Sequence, residues 1–320
     1  MNIEINKNAL EVIDLQIRAL KKLKNSINKD FYSAIKVIAK CKSKVIVCGV
    51  GKSGIIASKI SATLSSVGTP SFAISASDCS HGDLGKITNQ DIVILISYSG
   101  NTEELKNIIK YVKLNKITLI GIVSNKNSTL YRSSYIKLLL PEVQESGYGI
   151  VPTSSTTVQL SFGDALAIAL MKKKKFGKLD FKKYHPAGNL GNKLRTASDV
   201  MLINNKIPFV DENEIMKNAL ITLNKKKLGF LVLLNKMGYT SGVFTDGDLR
   251  RIFEADSFNS RLPISDVMNK TPKSITKEDL AVTALEKMEK FAISNLAVVD
   301  ENNNILGVVT LHDLVKLGLK

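Results

Sequence analysis

Two short turns carry the residue types that phosphate chemistry needs: Gly49-Val50-Gly51-Lys52-Ser53-Gly54 and Ser97-Tyr98-Ser99-Gly100-Asn101-Thr102-Glu103-Glu104. Each follows a compact apolar run, KVIVC at 44–48 and DIVILI at 91–96, and each opens into a helix-like pattern. A small, hydroxyl-rich turn between strand and helix aims backbone N–H and side-chain O–H groups at one point, which is the geometry of a phosphate cradle. Two such turns in one sheet imply one phosphorylated ligand held from two sides. Ser53, Ser97, Ser99 and Thr102 are the candidate phosphate ligands. Glu104, one helical turn past the second cluster, is a carboxylate within reach of proton chemistry.

Other readings of these residues are weaker. Gly49-x-Gly51-x-x-Gly54 matches the dinucleotide fingerprint, but the acidic residue that fingerprint wants is met only loosely by Asp78. A phosphate loop built on Gly51-Lys52-Ser53 would need glycine at 46, where Ile46 stands. Neither nucleotide reading accounts for the second turn. Among the three histidines, His81 lies in SHGDLG (80–85) and His185 in HPAGNLG (185–191), both in turn-rich loops; His312 lies in the second half. Cys79, His81 and His185 form no close-spaced ligand set, so no metal site is expected. Glu145 precedes a third hydroxyl cluster, PTSSTT at 152–157, that reads as a helix start.

These residues need a scaffold. Amphipathic helix is expected over 8–41, with Leu10, Ile13, Leu15, Ile17, Leu20, Leu23 and Ile27 as its apolar stripe. Strands at 44–48, 69–75, 91–96, 118–123 and 136–140 then alternate with helices at 53–67, 102–114 and 156–174. The strand runs are β-branched without period-two alternation, as in strands covered on both faces, so the fold class is α/β with a parallel sheet. The net charge is +16, but only six of the 45 basic residues are arginine and the lysines are dispersed. That pattern is a solvated surface, and neither nucleic acid nor a membrane is expected as a partner. No run approaches a membrane span, the N-terminus lacks the apolar core of a secretory signal, and three unpatterned cysteines suit a reducing cytoplasm.

The second half repeats itself. Asp199-Val200-Met201 recurs as Asp266-Val267-Met268, and GVFTDGDL (242–249) recurs as GVVTLHDL (307–314). Between these anchors each copy has a helix, at 214–224 and 280–290, and a strand, at 229–234 and 295–299. Two anchors at nearly equal offsets mark a tandem duplication. The expected domains are 1–195, 196–260 and 261–320.

GVGKSG, SHGDLG, SYSGNTEE (97–104), PTSSTT, GDALAIAL (163–170), HPAGNLG and GVFTDGDLRR (242–251) occur in an order that resembles the D-arabinose 5-phosphate isomerases. In that family a sugar isomerase (SIS) domain is fused to a pair of cystathionine-β-synthase-type (CBS) modules. The likeness runs from about residue 35 to the end. It departs at ESGYGIV (145–151), one residue shorter than the usual loop, at Ala187 for glycine and at Asp78 for glutamate. The resemblance implies a three-layer SIS sandwich followed by an α+β CBS pair. It implies interconversion of D-arabinose 5-phosphate and D-ribulose 5-phosphate through an enediol, feeding the eight-carbon acid sugar of lipopolysaccharide or capsule. Glu104, His81, His185 and Glu145 are then the acid–base candidates, with Lys52 against developing negative charge. No metal or redox cofactor is implied. A homotetramer is, and so is a nucleotide ligand at the CBS pair, with Asp248 and Asp313 toward a ribose. An isomerase for another phosphosugar, or a sugar-phosphate sensor without catalysis, stays open. The sensor would need a DNA-reading helix that the apolar stripe of 8–41 does not supply.

Overall fold

The computed structural model describes residues 3–185, 191–192 and 194–319. The chain divides into two units, Met1–Tyr184 and His185–Lys320.

In the first unit, helices α1 (Ile3–Leu23) and α2 (Lys29–Ala39) lead into β1 (Val45–Gly49), α3 (Lys52–Ser66) and β2 (Ser71–Ser75). A short helix, α4 (Ala76–Cys79), precedes β3 (Ile92–Ile96), α5 (Lys106–Leu114) and β4 (Thr118–Val123). Then come α6 (Thr129–Ser133), β5 (Ile136–Leu139), a short coil α7 (Gly147–Ile150) and the long α8 (Ser154–Lys173). The five strands form one sheet in the order β2-β1-β3-β4-β5, every pairing parallel. The expected parallel sheet is thus present. Its reason is visible strand by strand: Val45 and Val47 pack on one face with α2, α3 and α8, while Ile46 and Cys48 pack on the other with α4 and α5. Both faces being covered, every residue of β1 and β3 is buried and no polar alternation is needed.

The strand order reverses between β1 and β3. In open parallel sheets, that switch point opens a crevice beyond the carboxyl ends of the strands, where ligands bind. Both turns singled out in the sequence start there.

The first helix carries two apolar faces rather than the single stripe its composition suggested. Leu15, Ala19 and Leu23, spaced by four, are buried, whereas Leu10, Ile13 and Ile17 are exposed. At the opposite end of the strands from the crevice, buried Asp91 ties three segments together. Its carboxylate accepts from the Ser43 hydroxyl (2.6 Å), the Thr88 amide (2.7 Å) and the Thr88 hydroxyl (3.0 Å), and pairs with Lys44 at 3.2 Å. Burial pushes its pKa up, but the hydrogen bonds from Ser43, Thr88 and Lys44 together hold it below the ordinary value. A carboxyl whose folded pKa is depressed contributes stability above its unfolded pKa of about 4 and loses it as pH falls through the folded value. Asp91→Asn should therefore cost about 1–3 kcal/mol at neutral pH. Thermal unfolding of both proteins across acidic pH checks this: the two melting temperatures should converge as pH falls below about 4.

The second unit holds two three-stranded sheets. One has the order β6-β7-β8 (Phe209–Asp211, Phe230–Leu234, Thr240–Thr245), and the other β11-β10-β9 (Ile305–Thr310, Asn295–Val299, Ser274–Thr276). The duplication is therefore real at the level of structure, with helices Met216–Lys226 and Ala281–Phe291 in matching places. The cores do not follow the linear division at 260. The helix Ala197–Val200 packs in the core of the second sheet, with Ala281, Leu285 and Leu314, and Ile264 packs in that of the first, with Met216 and Leu231. Each Met of the repeated DVM sits over the glycine of the other copy. A Cβ on Gly307 would collide with Met201 Sδ, and one on Gly242 would lie 2.9 Å from Met268 Sδ. The exchange also moves the boundary between units upstream of residue 195. Ala197 N–H donates to the Asp279 carbonyl (2.7 Å) and Ala281 N–H to the Arg195 carbonyl (2.7 Å), so the segment around 195 belongs to the second unit.

Candidate active site

Beyond β1, β2 and β3 a cavity of about 460 Å³ is lined by Gly49, Val50, Gly51, Ser80, His81 and Glu104, with 75–77 completing the wall. Three strands each contribute one segment, and the cavity lies at the switch point. The first wall is the glycine turn. Gly51 takes φ +57°, and α3 starts from it with no side-chain cap, so the N–H groups of Lys52 and Ser53 are left for an anion, that of Gly54 donating to the Gly51 carbonyl. The turn is wound tightly: a Cβ on Gly49 would fall 2.7 Å from the Ser53 carbonyl carbon and oxygen. Lys52, exposed, follows the lining residue Gly51 as the first residue of α3.

The second wall comes from the loop after β2. Ser75 caps α4 by accepting from the Asp78 amide (3.3 Å), and the His81 N–H donates to the Asp78 carbonyl (2.9 Å), which places His81 just past that helix. Its side chain is exposed toward the cavity it lines. The third wall is Glu104, in a short 3-10 turn, Glu103–Leu105, ahead of α5 rather than within one continuous helix as the pattern 102–114 suggested.

The turn after β3 is braced from inside. Ser97 is buried; its hydroxyl bonds that of Thr102 at 2.7 Å and accepts from the Gly100 N–H at 2.9 Å. Gly100 (φ +70°) lets the chain pass so close to Ser128 that a Cβ would collide with its Oγ. Ser99 is exposed, and its hydroxyl accepts only a long hydrogen bond, from the Asn101 amide at 3.4 Å. Of the four hydroxyls assigned to phosphate, none is among the cavity-lining residues. Ser97 and Thr102 shape the turn, Ser53 donates to Gln159 at 3.1 Å, and Ser99 alone is freely presented.

Glu145 is held elsewhere. Its carboxylate accepts from the backbone N–H groups of Thr153 (2.8 Å), Ser154 (2.8 Å) and Ser155 (3.2 Å), the first turn of α8. Burial raises its pKa, but hydrogen bonds from Ser155, Thr153 and Ser154 outweigh that and leave it lowered. It is the N-terminal cap of α8, reaching there across a loop whose Gly147, Tyr148 and Gly149 all have positive φ. His185 is half-buried at the start of the second unit, and 186–190 of its motif lie outside the described residues.

The second unit has a larger cleft, about 850 Å³, lined by Asp248, Arg250, Arg251, Lys227 and Lys273 among others. Asp248 and Asp313 sit at matching positions. Asp248 accepts from the Thr245 amide (2.9 Å) and hydroxyl (2.7 Å) and pairs with Arg251; Asp313 accepts from the Thr310 hydroxyl (2.8 Å). Thr245 and Thr310 cap the two helices, Asp248 completing a capping box with Thr245, and of the two aspartates Asp248 alone lines this cleft. Among the described residues no three His, Cys, Asp or Glu side chains converge as a metal site, and no helix is long and apolar enough to cross a membrane.

A SIS domain model matches residues 37–169, and a CBS domain model matches 264–320. Arabinose 5-phosphate isomerase KdsD of Francisella tularensis is 47% identical over 98% of this chain and 97% of its own. The chain belongs to the arabinose 5-phosphate isomerase family. KdsD of Yersinia pestis is 41% identical over 97% of this chain and 94% of its own. Among solved structures, the complex of Escherichia coli CFT073 c3406 with arabinose 5-phosphate superposes with a TM-score of 0.56 at 38% identity, covering 58% of this chain and all of that one. In this family's terms, the cavity beyond β1, β2 and β3 belongs to the SIS domain and the duplicated sheets to the CBS pair.

Sequence reasoning passed over Gln159, a buried amide on α8 that holds Ser53. A signal for it was present. The buried positions of α8 include 155, 158, 159, 162, 163, 166 and 170, a helical stripe in which Gln159 is the long polar member.

Proposed function

We propose that this protein interconverts D-arabinose 5-phosphate and D-ribulose 5-phosphate through an enediol. The observation that carries the reading is a carboxylate and an imidazole, Glu104 and His81, lining one cavity with an uncapped helix start at the sheet's switch point. Full-length likeness to arabinose 5-phosphate isomerases supports it. The aldose C2–H is acidic because the adjacent carbonyl delocalises the carbanion into an enediolate. One group removes that proton and returns it to C1, while another moves a proton between O1 and O2. Glu104 and His81, which line one cavity, take these two roles in this reading. The turn at 49–54, with Lys52, faces the charge that develops on the oxygens or rests on the phosphate. Glu145 serves by fixing the start of α8. No metal or redox group enters these transfers.

The product would feed the eight-carbon acid sugar of lipopolysaccharide or capsule, in the cytoplasm. A homotetramer is part of the proposal, and the exposed Leu10, Ile13 and Ile17 of α1 offer surface for self-association. The cationic cleft beside Asp248 suits a nucleotide phosphate.

Incubating the protein with D-arabinose 5-phosphate and a panel of other aldose phosphates, with ketose formation as the readout, tests the reaction. Turnover is expected with the arabinose ester; ligand binding without ketose would mean a sensor. Within that assay, Ser99→Ala should raise KM by about tenfold with little change in kcat. A phosphate remote from C1 and C2 contributes binding shared by ground and transition states. A loss confined to kcat would remove Ser99 from the phosphate site.

A further inference from the structure

We infer that Tyr98 is a positioning residue for the turn after β3: its hydroxyl, clamped on the segment that follows β5, sets the aim of Ser99. The assay of this role rests on the proposed phosphosugar reaction, and the role itself on four contacts. Tyr98 Oη donates to the Pro141 carbonyl at 3.1 Å and accepts from the Val143 N–H at 2.8 Å. The Tyr98 carbonyl accepts from the Ser124 N–H at 2.9 Å and from the Ser124 hydroxyl at 2.8 Å. A phenol donates one hydrogen bond while accepting another only when protonated, and burial pushes the Tyr98 pKa up. The clamp is therefore closed on both sides at neutral pH.

The anchor is firm. Residues 140–145 have no regular structure of their own, but they are tied at each end. The Leu140 N–H donates to the Val123 carbonyl at 2.7 Å, and the Glu145 carboxylate accepts from the Thr153 and Ser154 N–H groups at 2.8 Å each. Between them Val143 packs against the core. Tyr98 thus reaches from the end of β3, past β4, to a fixed point beyond β5. The ladder between β3 and β4 runs on through the Ser97 N–H, which donates to the Ile122 carbonyl at 3.1 Å, and ends with the bond from Ser124 to Tyr98. Ser99 is the first residue past it. Ser97 is braced by Thr102 and Gly100, whereas Ser99 is exposed and accepts only the 3.4 Å bond from the Asn101 amide. The direction of the Ser99 hydroxyl is therefore set by the backbone that carries it. Bonds to a carbonyl hold that backbone in place but let it roll about the strand axis, and a side chain fixed at its tip stops the roll. A binding hydroxyl acts through its aim, so the residue that fixes the aim governs phosphate affinity and leaves the proton transfers at C1 and C2 alone.

The test is a double-mutant cycle on the full-length protein with Tyr98→Phe, Ser99→Ala and the pair together, reading KM and kcat for D-arabinose 5-phosphate. Tyr98→Phe keeps the ring and removes the hydroxyl alone. It should raise KM by about three- to fivefold, less than the roughly tenfold expected of Ser99→Ala, with kcat within about twofold. In the Ser99→Ala background it should change KM no further, because the hydroxyl it aims is gone. Its loss of melting temperature should persist in both backgrounds, which separates aiming from general support. A wild-type KM in either single variant, or increases that multiply in the double variant, would overturn the inference. If thermal unfolding shows that Tyr98→Phe fails to fold, Ser124→Ala takes its place in the cycle. That change removes the side-chain bond to the Tyr98 carbonyl, and the same dependence on Ser99 is expected. Calorimetric titration with D-arabinose 5-phosphate repeats the cycle on binding alone. A wild-type protein that binds the ester without turnover would sink the isomerase reading, and the measured affinities would still decide the coupling between Tyr98 and Ser99.

Discussion

Glu104→Gln is expected to lower turnover of D-arabinose 5-phosphate by at least about a hundredfold while leaving ligand affinity nearly intact, the scale of general acid–base catalysis. The substitution is nearly isosteric and removes only the ability to take a proton. Glu104 can be tested this cleanly because, among the described residues, its carboxylate takes part in no hydrogen bond or ion pair. It lies on an exposed 3-10 turn, and the turn before it is braced by Ser97, Thr102 and Gly100 without its help. Asp91 and Glu145, by contrast, are built into the backbone hydrogen bonding. Steady-state kinetics with a parallel binding titration separates the two effects. Wild-type turnover in Glu104→Gln would take this residue out of the mechanism and leave His81 as the acid–base group lining the cavity.

Gly49→Ala should be comparably damaging by another route. The added Cβ would lie 2.7 Å from the Ser53 carbonyl and 3.0 Å from the Gly54 nitrogen. These are backbone atoms, which cannot step aside as a side chain tip can, so the turn must open. Displacing a binding group by about 1 Å can cost roughly a hundredfold in activity, and overpacking costs about 1–3 kcal/mol of stability. Gly51→Ala is the informative comparison. At Gly51 the Cβ meets nothing within 4 Å, and only its φ of +57° is unfavourable. With ψ at −126° that backbone is one glycine favours, a strain of about 1–3 kcal/mol but with no backbone clash, so Gly51→Ala should retain more activity than Gly49→Ala. Equal losses would mean that backbone conformation, not close packing, makes this turn depend on glycine.

The parallel sheet could be read from the chain because its signal is local. KVIVC and DIVILI lack polar alternation since helices cover both faces, and a strand needs no further information to declare that burial. The crevice followed from the same runs, each ending in a turn whose glycines and hydroxyls are adjacent in sequence. What was hidden depends on contacts between distant segments. Glu145 reads as a catalytic candidate by motif, yet its carboxylate reaches α8 through a loop with three left-handed residues that no periodicity encodes. Ser53 reads as a phosphate ligand from its turn alone, and its hydrogen bond to Gln159, 106 positions later, has no signal in that turn. The two apolar faces of α1 blur into one list of leucines and isoleucines, because only packing decides which face turns inward. His81 and Glu104 lie on different loops, and the reversal of strand order between β1 and β3 is what brings them to one cavity.

The exchange of leading segments in the second unit sets how that unit can come apart. Met201 covers Gly307 and Met268 covers Gly242, so each copy of the repeat closes its core with residues that belong, along the chain, to the other. Separating the copies at residue 260 would uncover apolar surface in both fragments at once. Heat or denaturant should accordingly melt the two sheets in a single step, although the chain between them is continuous and each has its own strands and helix. A half-length fragment could hide its exposed core by pairing with another of its kind, each lending the other its leading segment. Covalent linkage makes that mutual lending independent of concentration: the tandem repeat behaves as a dimer that cannot dissociate.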